Sequence, residues 1–178
     1  MLILVVGPSG AGKDTLLNAA RSALAGDAGF RFVRRVITRP PDPAGEDHES
    51  VSHEQFMTRR FALQWQAHGL RYGIPAGIAG DLAAGAAVVA NVSRSVIAAA
   101  AQRFPVRVIE VTAPPQVLAT RLAARGREGP GDIAGRLARS VALPAHVPVE
   151  TVLNDATPEI GAARFLAALT RVASGARQ

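Results

Sequence analysis

Lys13 is the single lysine in the chain; all nineteen other cationic side chains of the Lys/Arg class are arginines. It closes the run Gly7-Pro8-Ser9-Gly10-Ala11-Gly12-Lys13, which has the GxxxxGK spacing of a phosphate-binding loop. A compact ammonium on a flexible stem does what a planar guanidinium fork cannot, which explains one lysine persisting where arginine is otherwise used. The apolar run Leu2-Ile3-Leu4-Val5-Val6 precedes the loop, and Leu16, Leu17, Ala20 and Leu24 follow at helical spacing. Strand, glycine loop and helix form the context in which backbone amides and a helix N-terminus hold an anion. The expected ligand set is therefore Gly7 through Lys13 around the phosphates of ATP, with Lys13 on the outer ones.

Asp14 follows the lysine, where Ser or Thr usually supplies a hydroxyl to Mg²⁺. Its carboxylate suits that hard cation, directly or through water; the other reading is a first-turn acid that satisfies free helix amides. Thr15 lies about 100° further round the helix and is read as bonding an inner phosphate. Asn91 ends the apolar run Ala86–Ala90, where many phosphate-loop proteins carry an Asp that orders Mg²⁺. A neutral amide there points to a water or an acceptor oxygen. Arg94, three residues on, is either an acceptor contact or a solvated first-turn residue.

These side chains need a scaffold. Apolar runs at Leu2–Val6, Phe30–Val36, Ala86–Ala90, Val106–Val111 and Val149–Leu153 read as strands. Helical patterns fall near Lys13–Ala25, Glu54–Gln66, Ile78–Ala84, Arg94–Arg103, Pro115–Arg125, Asp132–Ser140 and Pro158–Ser174. The alternation predicts an α/β three-layer sandwich of the P-loop NTPase kind, with a mainly parallel five-stranded sheet and helices on both faces. Residues 1–178 read as one domain, with an acceptor-binding insertion over about 36–76 and a lid over about 125–140. Ligands are then expected at the C-terminal strand ends.

Composition narrows the function classes. There is no cysteine, so disulfide and thiol chemistry are absent. No apolar run approaches the ~20 residues of a membrane span, and the N-terminal run reads as a buried strand, not a signal peptide, so a cytoplasmic protein is expected. The formal net charge is +6, which favours anionic partners. Aromatics make up only 4% of the chain, so the stacking platforms of a nucleic-acid binder are missing. Arginines gather at Arg31–Arg39 and Arg121–Arg139, which suits a small polyanion. No nucleic acid and no membrane partner are expected, and oligomeric state stays open, a homodimer included.

In order along the chain, several segments resemble the guanylate-kinase-like P-loop kinases. They are the loop itself, Ile37-Thr38-Arg39-Pro40-Pro41, Gly45-Glu46, Val51-Ser52-His53-Glu54-Gln55-Phe56, Arg71-Tyr72-Gly73-Ile74-Pro75, Arg121-Leu122-Ala123-Ala124-Arg125-Gly126, Arg136-Leu137-Ala138-Arg139 and Asn154-Asp155. Two departures matter. The stretch Asp47–Ser52 lacks a phosphate-holding tyrosine, and Ile74 stands where those kinases carry a guanine-reading threonine. Gly-Pro-Ser-Gly-Ala-Gly-Lys-Asp, Arg34–Pro40, Glu49–Ser52, Ala67–Pro75 and Asn91–Arg94 together resemble the ribose 1,5-bisphosphate phosphokinase family of phosphonate breakdown.

That resemblance implies ATP and Mg²⁺ as cofactors and an acceptor sugar with two phosphates and no base. It implies Arg35, Thr38 and Arg39 at the acceptor phosphates, although an exposed charge pair is the plainer reading of the two arginines. Tyr72 bonds a phosphate or ribose hydroxyl, or is a half-buried structural tyrosine. Asn154 lies near the adenine. Arg125 and Arg136 meet the transferred phosphoryl group, or form a solvated basic helix face. His68 is a weaker candidate, and His48, His53 and His146 read as structural or surface. The product would be 5-phosphoribosyl 1-diphosphate (PRPP), serving PRPP and NAD supply. The alternatives are a guanylate-type nucleoside monophosphate kinase and a non-catalytic binding module of the same scaffold.

Overall fold

The computed structural model describes residues 1–40, 46–124 and 142–175. Nine strands and six α-helices are assigned among them. Strand β1 (Leu2–Val6) enters the phosphate loop and α1 (Lys13–Ala23) leaves it. Then come β2 (Phe30–Phe32), β3 (Val36–Ile37), β4 (Glu49–Ser50), α2 (His53–Met57), β5 (Phe61–Ala67), β6 (Leu70–Pro75) and α3 (Ile78–Ala83). Next are β7 (Ala87–Asn91), a 3₁₀ turn Arg94–Val96, α4 (Ile97–Ala101), β8 (Val106–Thr112), α5 (Pro115–Ala124), β9 (Val149–Leu153) and α6 (Pro158–Ser174).

The main sheet has five parallel strands in the order β2-β7-β1-β8-β9. β1 lies at its centre and every β1 residue has 0% exposure, as expected where helices cover both faces. Side chains alternate across the pleat. Ile3 and Val5 join Leu16 of α1 and Phe165 of α6 in one core, while Leu2, Leu4 and Val6 join Ile78 of α3 and Ile97 of α4 in the other. This is the expected three-layer sandwich. Because β1 is central, its loop opens where the strand order reverses between β7 and β8.

A second sheet, ordered β4-β3-β6-β5, stands beside the first. It corrects two sequence assignments. The helix expected over Glu54–Gln66 stops at Met57, and Phe61–Ala67 is a strand. The helix start was legible, since Ser52 and Gln55 form a capping box. Beyond it, pairing with β6 decides the outcome: Trp65 faces Tyr72 and Gln64 faces Gly73 across an antiparallel ladder. The strand expected over Phe30–Val36 also divides. Phe30–Phe32 pairs with β7, while Val36 belongs to the second sheet and pairs with Gly73 and Glu49. Arg71-Tyr72-Gly73 lies within β6, and the chain reverses just before it at His68 (φ 53°) and Gly69 (φ 72°). The helix expected over Asp132–Ser140 lies outside the described residues. No helix among the described residues is long and apolar enough to cross a membrane.

Candidate active site

The phosphate loop is shaped by steric necessity. Gly7 has φ 147°, and a Cβ there would sit 2.0 Å from the Val111 carbonyl oxygen. Gly12 has φ 85°, and a Cβ there would sit 2.6 Å from Asn154 Nδ2. Only glycine fits either position. Lys13 Nζ donates to the carbonyls of Gly7 (2.7 Å) and Pro8 (2.9 Å), so its ammonium lies over the loop. Ala11 is fully buried beneath, and Asn154 Nδ2 donates to its carbonyl (2.8 Å).

Asn154 was expected near a base. Instead its side chain is buried under the loop, wedged between Gly12 and Gly161. Arg121 donates to its carbonyl (3.0 Å), and Arg164 bonds the neighbouring Asp155 (2.8 Å), holding that carboxyl below the ordinary carboxylate range. The amide thus fixes the loop from behind.

One cavity of about 270 Å³ joins the loop to the second sheet. Gly7, Ser9, Gly10, Gly12, Lys13 and Asp14 line one side; Arg35, Arg39, Tyr72 and Trp65 line another, with Asn91 and Ser93 at the strand end. Residues from four separate segments therefore meet where a donor phosphate and an anionic acceptor could face each other. Thr15 is exposed on α1 and does not line this cavity.

The acceptor side is built on a stack. The Trp65 and Tyr72 rings lie 5.3 Å apart and 7° from parallel, and the Arg35 guanidinium sits 5.6 Å from the Tyr72 centroid. Arg35 Nε donates to Glu46 Oε1 (2.5 Å), and its Nη2 donates to Glu46 Oε2, forming a two-point fork. Arg39 lies 3.7 Å from the same carboxylate. His48, 6% exposed, donates from Nδ1 to the Glu46 carbonyl (2.8 Å). Arg35 is thus neither an exposed charge pair with Arg39 nor bare: Glu46 and an aromatic ring orient it. Sequence reasoning missed Glu46 and Trp65 as site residues. The Gly45-Glu46 spacing was visible, but its return to Arg35 is a tertiary contact.

Three further expectations need correction. Thr38 bonds Arg71 through both its amide and its hydroxyl (3.1 and 2.9 Å), so it ties β3 to β6 and does not line the cavity. Arg94 points to Glu110 on β8 (2.5 Å) and is absent from the cavity wall, while neighbouring Ser93 is present. Ile74 is fully buried in the core with Leu63 and Ile78, so it is not a wall residue at all. Arg125 and Arg136 lie outside the described residues.

Asn91 lines the cavity and donates from Nδ2 to Asp14 Oδ1 (2.9 Å). Asp14 carboxylate oxygen and the Asn91 amide oxygen are hard donors that fit Mg²⁺ and its waters. Among the described residues no cluster of three or more His, Cys, Asp or Glu side chains forms a metal cage. Mg²⁺ is usually held by one or two carboxylates together with substrate phosphates and waters, so such a cage is not required.

A family model described as an AAA domain matches residues 2–143. The solved guanylate kinase from Anaplasma phagocytophilum superposes with a TM-score of 0.68 at 15% identity, covering 97% of this chain and 85% of that one; this likeness concerns the fold. A protein of Acidiphilium cryptum named ribose 1,5-bisphosphate phosphokinase PhnN is 57% identical over 173 residues, spanning 96% of this chain and 92% of its own. A protein of Azorhizobium caulinodans named bifunctional ribose 1,5-bisphosphokinase-thymidine phosphorylase is 49% identical over 95% of this chain, which spans 25% of that protein. On this identity and coverage, the chain belongs to the PhnN family of ribose 1,5-bisphosphate phosphokinases.

Proposed function

We propose that this protein transfers the γ-phosphoryl group of ATP to ribose 1,5-bisphosphate, giving PRPP and ADP. The observation that carries this reading is the cavity in which the Lys13 loop faces Arg35 and Arg39. The family relationship supplies the acceptor. Joining of such a domain to a protein named thymidine phosphorylase fits too, because phosphorolysis of an N-glycosidic bond leaves a sugar 1-phosphate.

Loop amides and Lys13 hold the outer phosphates of ATP, and Asp14 with Asn91 are the residues that would hold Mg²⁺. That ion, when bound, neutralises phosphate charge. Arg35 and Arg39 hold the acceptor phosphates, and Tyr72 backs Arg35. The acceptor needs no protein base, since a phosphate monoester with a second pKa near ~6 is already an anion at neutral pH. Its oxygen forms the new P–O bond as the bond to the β-phosphate oxygen breaks and ADP leaves, so positioning does most of the catalysis. Asp47 and Glu49, the other carboxylates near the acceptor side, pair with Arg21, Arg34 and Arg59. Arg125 and Arg136 are assigned to the transferred group.

The test is ADP release from ATP and Mg²⁺ with ribose 1,5-bisphosphate or GMP as acceptor. Turnover with the bisphosphate alone is expected, falling at least about a hundred-fold in Lys13→Ala. Turnover with GMP alone would replace this reading with a guanylate-type kinase.

A further inference from the structure

We propose that Asp14 and Asn91 form a transposed metal-holding pair. The carboxylate that phosphate-loop enzymes carry at a strand end has moved onto the loop helix, and the strand-end amide now aims it and accepts a hydrogen bond from a metal-bound water. This rests on the reading that the loop holds the phosphates of ATP.

Phosphate-loop NTPases place Mg²⁺ between a loop Ser or Thr hydroxyl and a strand-end Asp. Here both positions are altered together. Asn91 is the last residue of β7, paired in register with Val5 of β1, so it stands directly beside the strand that feeds the loop. Asp14 is the second residue of α1. A hydroxyl plus a carboxylate carries one negative charge; a carboxylate plus an amide carries one as well. The charge offered to a cation is preserved while its carrier crosses from strand to helix.

The hydrogen bond fixes which end of the amide is which. A carboxylate can only accept, so Nδ2 faces Asp14 and Oδ1 faces away from it. Asn91 is 7% exposed, and Oδ1 is buried with no partner among the described residues. A buried acceptor left bare costs free energy, so this position calls for a donor. Asn154 Oδ1 is likewise bare, but it lies against Gly161 under the loop and does not line the cavity between the loop and the second sheet. Asn91 lines both the main cavity and the smaller one beside α1. Mg²⁺ sheds its waters reluctantly and is commonly held partly through them. Such a water donates hydrogen bonds, which is what Oδ1 lacks.

The test measures Mn²⁺ binding to the protein–ADP complex by electron paramagnetic resonance, alongside ADP binding in EDTA. Asp14→Asn keeps the shape of the side chain and is expected to weaken Mn²⁺ about ten-fold or more, while metal-free ADP binding, relieved of a carboxylate near the phosphates, is not weakened. Asn91→Leu is expected to weaken it by a similar factor, in the range seen when partners that orient metal ligands are removed. Asp14→Ser alone should lose affinity, and the exchange D14S/N91D should recover most of that loss. Thermal denaturation shows which variants are folded. Unchanged Mn²⁺ affinity in Asp14→Asn, or a double variant no better than Asp14→Ser, overturns the proposal. Wild-type protein that binds ADP neither with Mn²⁺ nor in EDTA overturns the nucleotide reading and the proposal with it.

Discussion

Gly12 and Asn154 show how much of the phosphate loop is settled by single atoms. The GxxxxGK spacing was legible because each glycine answers a backbone demand that no other residue meets. Asn154 was not legible in its role: an Asn after a strand looks the same whether it faces a base or braces a loop 143 residues away. The two residues make one prediction. Gly12→Ala places a Cβ 2.6 Å from Asn154 Nδ2 at a φ of 85°. Relieving that clash must break the Asn154–Ala11 bond or shift the loop. A stability loss of about 1–3 kcal/mol is expected, read by chemical denaturation, with ADP affinity falling more than acceptor affinity. Asn154→Ala, which leaves the loop glycine intact, should reproduce the weaker ADP binding if bracing is its function. Equal ADP affinity in that variant would show that the loop holds its shape unaided.

The β5–β6 hairpin is the element that the sequence disclosed least. Phe61–Ala67 carries a bulge near Phe61 and Leu63, which blurs the period-two alternation by which a strand is recognised. Its neighbour α2 ends without a glycine or proline, so no stop signal separated the two. Yet this hairpin delivers Trp65 and Tyr72 to the cavity, directly opposite each other in the ladder. The Arg35 guanidinium completes the stack and is clamped on its far edge by Glu46. Aromatic stacking and a cation over a ring contribute about 1–2 kcal/mol together in such settings. Replacing Trp65 by Leu keeps an apolar side chain but removes the ring. The KM for the acceptor should then rise roughly ten-fold, by the same energies, with the KM for ATP unaltered. A change in the ATP constant alone would place the stack on the donor side instead.

Taken whole, the molecule couples its two sheets through one core. Ala62, Leu63 and Ile74 of the second sheet pack with Leu2, Leu4 and Val88 of the main one and with Ile78 of α3 and Ile97 of α4. Arg21 of α1 also reaches Asp47, which pairs with Arg34 ahead of β3. The acceptor side therefore stands at a fixed distance from the loop through buried apolar contacts as well as exposed ion pairs. This arrangement changes what Ile74 means. From sequence, its replacement of a hydroxyl residue suggested a lost base contact; in the fold it is a fully buried core side chain that does not line the cavity. Ile74→Thr should accordingly act on stability. It removes apolar volume and buries a hydroxyl, costing about 2–4 kcal/mol, seen as a lower thermal midpoint. The ratio of turnover with ribose 1,5-bisphosphate to turnover with GMP should not move. A variant that gains GMP turnover at unchanged stability would return Ile74 to the cavity wall, and selectivity against a base would then rest on that one side chain.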